Sequence, residues 1–157
     1  MQDESKLVKK PAAKKKRLNP ALRRKARQLA TQALYQWELA SSSLVEIERE
    51  FCEDNNMKKV DAEYFSELLH QIPALKTELD ELIKPLLDRD MSELTPVELT
   101  ILRLSGYEML KRHDVPYRVI INEGVELAKT FGATDGHKYV NGILDRLAGD
   151  IRLEAKK

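Results

Sequence analysis

Four cations within five positions, Arg23, Arg24, Lys25 and Arg27, are the first residues of this 157-residue chain whose types and spacing could do chemistry on a folded element. They follow Asn19 and Pro20, a side-chain cap and a first-turn proline that open a helix. Cations there sit at the positive end of the helix dipole, where each is mildly unfavourable and an acid would stabilise. A docked polyanion reverses that sign, because free amides and guanidinium groups both attract phosphate. The pattern reads either as a phosphate-binding tip or as a solvated basic helix start. The polar side of the same helix (Arg24, Gln28, Thr31, Tyr35, Glu38) carries an aromatic, Tyr35, where aromatics usually seek cover. Such a residue suits a partner surface, unless another helix of the chain covers it.

No other residues combine into a reactive set. His70, His113 and His137 are scattered, with neither HExxH spacing nor a carboxylate pair beside them. Cys52 is the lone cysteine and has no basic neighbour to activate it, so it reads as a small buried or half-buried thiol. Walker loops, dinucleotide fingerprints and nucleophile elbows are lacking. A binding protein is expected rather than an enzyme, with neither cofactor nor metal.

The elements that must position these residues are all helical in period. In the first, Leu22, Ala26, Leu29, Ala30, Ala33, Trp37 and Ala40 make one apolar stripe. A second helix is expected over 44–55, with Leu44, Ile47 and Phe51 inward. Asp61 caps a long helical region over 62–87 that Pro73 should kink or split. Thr95-Pro96-Val97-Glu98 has the cap, the proline and the glutamate of a capping box. The helix it opens, to about residue 112, is apolar on two sides and wet on a strip of Glu98, Ser105, Glu108 and Arg112, as befits a central helix. The next runs from Asp114-Val115-Pro116 to Gly132, a C′ glycine. The last follows Asp135 and is closed by Gly149. Gly106, Gly124 and Gly142 fall inside helices, where close approach of neighbours would offset about 1 kcal/mol each. An all-helical fold follows, with subbundles over about 19–90 and 91–150, a disordered Lys-rich tail over 1–18 and a C-terminal tail over 151–157.

Charge is segregated along this frame. Net charge is only +1, yet residues 1–27 carry eleven Lys and Arg against Asp3 and Glu4, whereas residues 28–98 carry six against sixteen Asp and Glu. The basic end is the one to meet nucleic acid or an acidic surface. No apolar run approaches transmembrane length and no signal-peptide core follows the basic start, so a soluble, cytosolic protein is expected.

The stretches RRKARQLATQALYQWEL (23–39), LTPVELTILRLSGYEMLKR (94–112) and DVPYRVIINEGVELAKTFGATDGHKYVNGILDRLA (114–148) resemble the bacterial NusB transcription antitermination family. The likeness covers about residues 20–150 in order; the Lys-rich tail, Pro73 and Gly136 depart from it. It implies about seven helices in two three-helix subbundles, with no cofactor and no catalysis. It implies recognition of single-stranded boxA RNA as a heterodimer with the small-subunit ribosomal protein NusE, in transcription elongation complexes and notably on ribosomal RNA operons. By resemblance, Arg23, Arg24, Lys25 and Arg27 are the principal RNA contacts, with Tyr117, Asp135, Lys138 and Tyr139 as further RNA-side positions and Tyr35 and Glu98 on the NusE-facing surface. Glu98 is also explained by its capping box, Tyr117 by packing, and Asp135 by capping a helix while tempering affinity for phosphate. Replacing Arg23, Arg24 and Arg27 by Ala is then expected to weaken RNA binding with melting unchanged or slightly raised. A protein–protein adaptor that never meets RNA, and a homodimer that hides its RNA surface, are the rival readings.

Overall fold

Asn19 starts the first helix as its sequence requires, its side-chain oxygen accepting from the amides of Ala21 and Leu22 with Pro20 in the first turn. The computed structural model describes residues 19–156, with side chains through 152; the expected tail over 1–18 lies outside the described residues. Seven α-helices follow one another: α1 (Pro20–Ala40), α2 (Leu44–Asp54), α3 (Ala62–Ala74), α4 (Lys76–Ile83), α5 (Pro96–Lys111), α6 (Tyr117–Phe131) and α7 (Gly136–Lys156). The remaining described elements are three short 3-10 turns at Met57–Lys59, Lys84–Leu86 and Met91–Glu93. None of the described helices is long and apolar enough to cross a membrane.

Local chemistry sets most of these boundaries. Ser41 closes α1 in the left-handed region (φ 57°), its N–H donating to the Trp37 carbonyl. Pro73 splits the long helical region: α3 ends at Ala74 and α4 starts at Lys76. The capping box forms in full, Thr95 Oγ1 accepting from the Glu98 amide while the Glu98 carboxylate accepts from the Thr95 amide.

Two apolar cores result. The first joins α1, α2 and α3 around Phe65, Leu68, Leu69 and Ile47, and takes Leu104 and Tyr107 from α5. The second joins α4 to α7 around Ile101, Leu102, Met109, Ile120 and Leu144. Helix α5 therefore serves both, buried at every residue from Thr100 to Met109. Its expected wet strip is corrected here. Ser105 and Glu108 are fully buried, because α1 packs against one side of α5 and α6 and α7 against the other.

The glycines divide. A Cβ at Gly124 would stand 2.7 Å from Ser105 Oγ and 2.8 Å from Leu144 Cδ1, so α6 meets α5 and α7 only because this position is bare. Gly142 has nothing within 4 Å, so close approach does not account for it. Gly132 is extended rather than left-handed (φ −92°, ψ −179°); a Cβ there would meet the Ala128 carbonyl at 2.7 Å. Gly149 does not end the last helix, which runs on to Lys156, so residues 151–156 continue α7 instead of forming a tail.

Candidate nucleic-acid interface

The basic start of α1 is mostly neutralised from within. Arg23 Nε donates to Asp61 Oδ2 at 3.2 Å. Arg24 forks onto Glu123 of α6, Nε to Oε1 at 3.1 Å and Nη2 to Oε2 at 2.8 Å. Arg27 reaches Glu108 of α5 with Nε–Oε2 at 2.9 Å and Nη2–Oε2 at 2.8 Å, and its Nη1 lies 3.8 Å from Glu123. Of the four cations, Lys25 alone has no carboxylate partner among the described residues. The expectation that a polyanion must relieve this helix end is thus corrected: Asp61, Glu108 and Glu123 relieve it already.

Burial separates the four further. Arg23 and Arg27 are buried, whereas the Arg24 side chain is 56% exposed and Lys25 is exposed. Arg23 stacks over the Tyr64 ring at 3.7 Å, and the Tyr64 hydroxyl donates to Glu108. Burial and the adjacent Glu108 carboxylate push the Tyr64 phenol far above its ordinary range, so it stays a donor at every working pH. For Arg27, burial works against the charge, but Glu108, with Tyr64 and Glu123, together more than offset it and the guanidinium holds its proton more firmly than usual. Arg23, Arg27, Tyr64 and Glu108 form a polar clamp between α1, α3 and α5.

Sequence reading missed Glu108, Glu123, Asp61 and Tyr64 as the partners. One signal was available: Arg23, Arg27, Ala30 and Leu34 share a stripe at i, i+4, i+7 and i+11, and that stripe faces inward. Thr31, expected on the polar side, is also buried, its hydroxyl donating to the Arg27 carbonyl at 2.8 Å. What α1 leaves outside is narrow. Arg24 and Lys25 stand at its N-terminal end, and Tyr35 (37% exposed) and Leu39 (57%) toward its C-terminal end. Tyr35 follows Arg24 by eleven helical steps, roughly 16 Å along the axis.

The other expected residues fall at two ends of the α6–α7 hairpin. Tyr117 is half-buried in the first turn of α6, packed on the second core with the Arg152 guanidinium 5.0 Å from its ring centroid. Tyr139 lies in the first turns of α7, half-buried, its hydroxyl donating to Asp88 Oδ1 at 3.2 Å. Since α6 and α7 run antiparallel, the two tyrosines stand on the order of 20 Å apart. At that separation they share no pocket. Lys138 is exposed, with Nζ 3.6 Å from Asp135 Oδ1. Asp135 adopts φ 69°, a left-handed conformation that Asp tolerates better than most residues. Its backbone carbonyl, rather than its side chain, accepts from the Lys138 amide at 3.1 Å.

Glu98 performs its capping role and meets this segment as well. A Cβ built on Gly136 would stand 3.0 Å from Glu98 Oε2, so the NusE-side and RNA-side positions named by resemblance adjoin. Among the described residues no group of three or more His, Cys, Asp or Glu could hold a metal ion.

Comparison with known proteins agrees with this geometry. The NusB family model matches residues 24–149. The chain is 60% identical over 143 residues to the transcription antitermination protein NusB of Pseudomonas entomophila, covering 91% of this chain and 86% of that protein. To the NusB of Hahella chejuensis it is 51% identical over 130 residues, covering 83% and 87%. Among solved structures, T. maritima NusB superimposes with a TM-score of 0.72 at 33% identity, covering 80% of this chain and 89% of that one. A crystal structure of antitermination factors NusB and NusE with double-stranded RNA gives 0.71 at 27% identity, covering 81% and 96%. With its helices, its basic α1 start and its relatives all in accord, the chain belongs to the NusB family.

Proposed function

We propose that this protein is a transcription antitermination factor that binds single-stranded boxA-type RNA of nascent transcripts, notably from ribosomal RNA operons, together with the ribosomal protein NusE in the elongation complex. The observation that carries the reading is what α1 leaves exposed at its two ends, phosphate-seeking cations at one and an uncovered aromatic and leucine at the other. A family relative solved with both NusE and RNA supports it, although that RNA is double-stranded.

On this reading the four cations have two jobs. Arg24 and Lys25 attract phosphate, Arg24 with the guanidinium edge that Glu123 leaves free. Arg23 and Arg27 hold the end of α1 against α3 and α5, so that the exposed pair is presented on a rigid element. Lys138 adds a second phosphate contact, and Asp135 tempers it. Tyr117 and Tyr139 offer ring faces for unpaired bases at the two ends of the α6–α7 hairpin, a spacing that suits an extended strand. Tyr35 and Glu98 face NusE. An RNA that touches both proteins at once binds better than to either alone, because the second contact is made at a high effective concentration.

The test is a titration with boxA-type RNA and with a scrambled RNA of equal length, across salt, with and without NusE. Tighter binding to boxA, strengthened by NusE and falling by about 0.7 log units per decade of salt for each phosphate neutralised, is expected. Equal, weak binding to both RNAs with NusE still bound would make the protein an adaptor instead.

A further inference from the structure

The turn between α4 and α5 has no part in the reading above, yet two of its residues reach across to α7. The Tyr139 hydroxyl donates to Asp88 Oδ1 at 3.2 Å, and the Arg89 guanidinium carbon stands 4.3 Å from the Tyr139 ring centroid. Arg89 Nε in turn donates to Asp88 Oδ1 at 2.9 Å. A single ring is therefore gripped at its hydroxyl and over one face by consecutive residues. Neither side chain is needed by the core beneath, for Asp88 is 67% exposed and Arg89 41%.

These contacts are weak ones. Exposed ion pairs and exposed cation–π contacts are each weaker than the stacking of a nucleobase on an aromatic ring. A base arriving on that face of Tyr139 therefore displaces the guanidinium. Arg89 is tethered one residue from Asp88, so its freed fork remains beside the stacked nucleotide and meets the adjoining phosphate with two parallel hydrogen bonds. Asp88 opposes the exchange, because it attracts the same guanidinium.

We infer that Asp88 and Arg89 form a latch on Tyr139, in which Arg89 covers the ring face until a base stacks there and then passes to the RNA backbone. Arg89 is thereby a phosphate-contacting residue of the interface, and Asp88 is the anion that holds it back. The inference rests on the RNA-binding reading and adds to it a site on a different element. It also explains how a chain with a net acidic middle section meets RNA at α7: the local cations, Arg89 and Lys138, each carry a carboxylate that phosphate must outcompete.

The test is a fluorescence-anisotropy titration of the full chain with fluorescein-labelled single-stranded boxA-type RNA across potassium chloride. Wild type is compared with Arg89→Ala, Arg89→Lys, Asp88→Asn and Arg24→Ala, each checked for an unchanged melting temperature. Arg89→Ala is expected to weaken binding about three- to tenfold and to reduce the salt slope by about 0.7, and Arg89→Lys to restore the slope. Asp88→Asn is expected to tighten binding about two- to fivefold. Equal or tighter binding by Arg89→Ala with an unchanged slope overturns the latch, as does weaker binding by Asp88→Asn. Wild-type binding that depends on Arg24 but ignores Arg89 removes the latch alone. No RNA binding by wild type removes the functional reading with it.

Discussion

Replacing Arg27 by Ala separates the frame of this protein from its binding surface. The Arg27 side chain is 4% exposed and the Glu108 side chain 1%, so the substitution leaves a buried carboxylate without its counter-ion. Removing one partner of a buried pair costs about 3–5 kcal/mol, and the Tyr64 hydroxyl, which still donates to Glu108, argues for the lower end. For a chain of this size each kcal/mol moves the melting temperature by about 2–4 °C, so a fall of roughly 6–12 °C is expected at pH 7. The assay is thermal unfolding followed by circular dichroism, with urea titration as a check. Arg24→Ala should shift the midpoint far less, by under about 1 kcal/mol, since that side chain is mostly solvated. The double variant Arg27→Met with Glu108→Gln removes both charges and should recover at least half of the single variant's loss, as buried pairs replaced by neutral groups of similar size often do. An Arg27→Ala midpoint within about 2 °C of wild type would refute the reasoning, and would show that Glu108 finds its compensation elsewhere.

Other outcomes follow from the same geometry. Gly124→Ala places a methyl 2.7 Å from Ser105 Oγ and 2.8 Å from Leu144 Cδ1, and should cost about 1–3 kcal/mol in urea unfolding. Tyr35→Asp should abolish co-purification with NusE while leaving the melting curve intact; normal yield of the complex would count against the α1 partner surface. Asp114 is held below the ordinary aspartate range, chiefly by its hydrogen bonds from Arg112. A carboxylate with a depressed folded pKa contributes stability above its unfolded value of about 4 and loses it as pH falls through the folded value. Asp114→Asn should therefore destabilise slightly at pH 6 and converge on wild type as the pH falls through the lowered folded value; half of the side chain is solvated, so the difference stays under about 1 kcal/mol.

Helix starts and breaks were legible because they are local. Asn19, Thr95 and Glu98 act within three residues of themselves, and Pro73 lies in the last turn of α3, next to the break before α4. The inward side of α1 was half legible. Its alanines and leucines announce themselves, but Arg23 and Arg27 share a face with Leu34 and read as solvated cations until Asp61, Glu108 and Tyr64 are placed opposite them. Those partners lie 38 to 81 residues away, a separation no helical period encodes. The same distance hid Asp88 and Arg89 from Tyr139, and Glu98 from Gly136. Tyr35 was legible because it lies off the apolar stripe of α1 and the neighbouring helices leave it 37% exposed.

On the proposed function, the exposed cations of α1, and not the buried ones, meet the phosphates of RNA. The most direct measurement is the salt dependence of boxA-type RNA affinity for wild type and for Arg24→Ala with Lys25→Ala. With two phosphate contacts gone, the slope of log affinity against log salt should shrink by about 1.4, and binding at low salt should weaken while the melting temperature holds. An unchanged slope and affinity in a folded double variant would contradict the account.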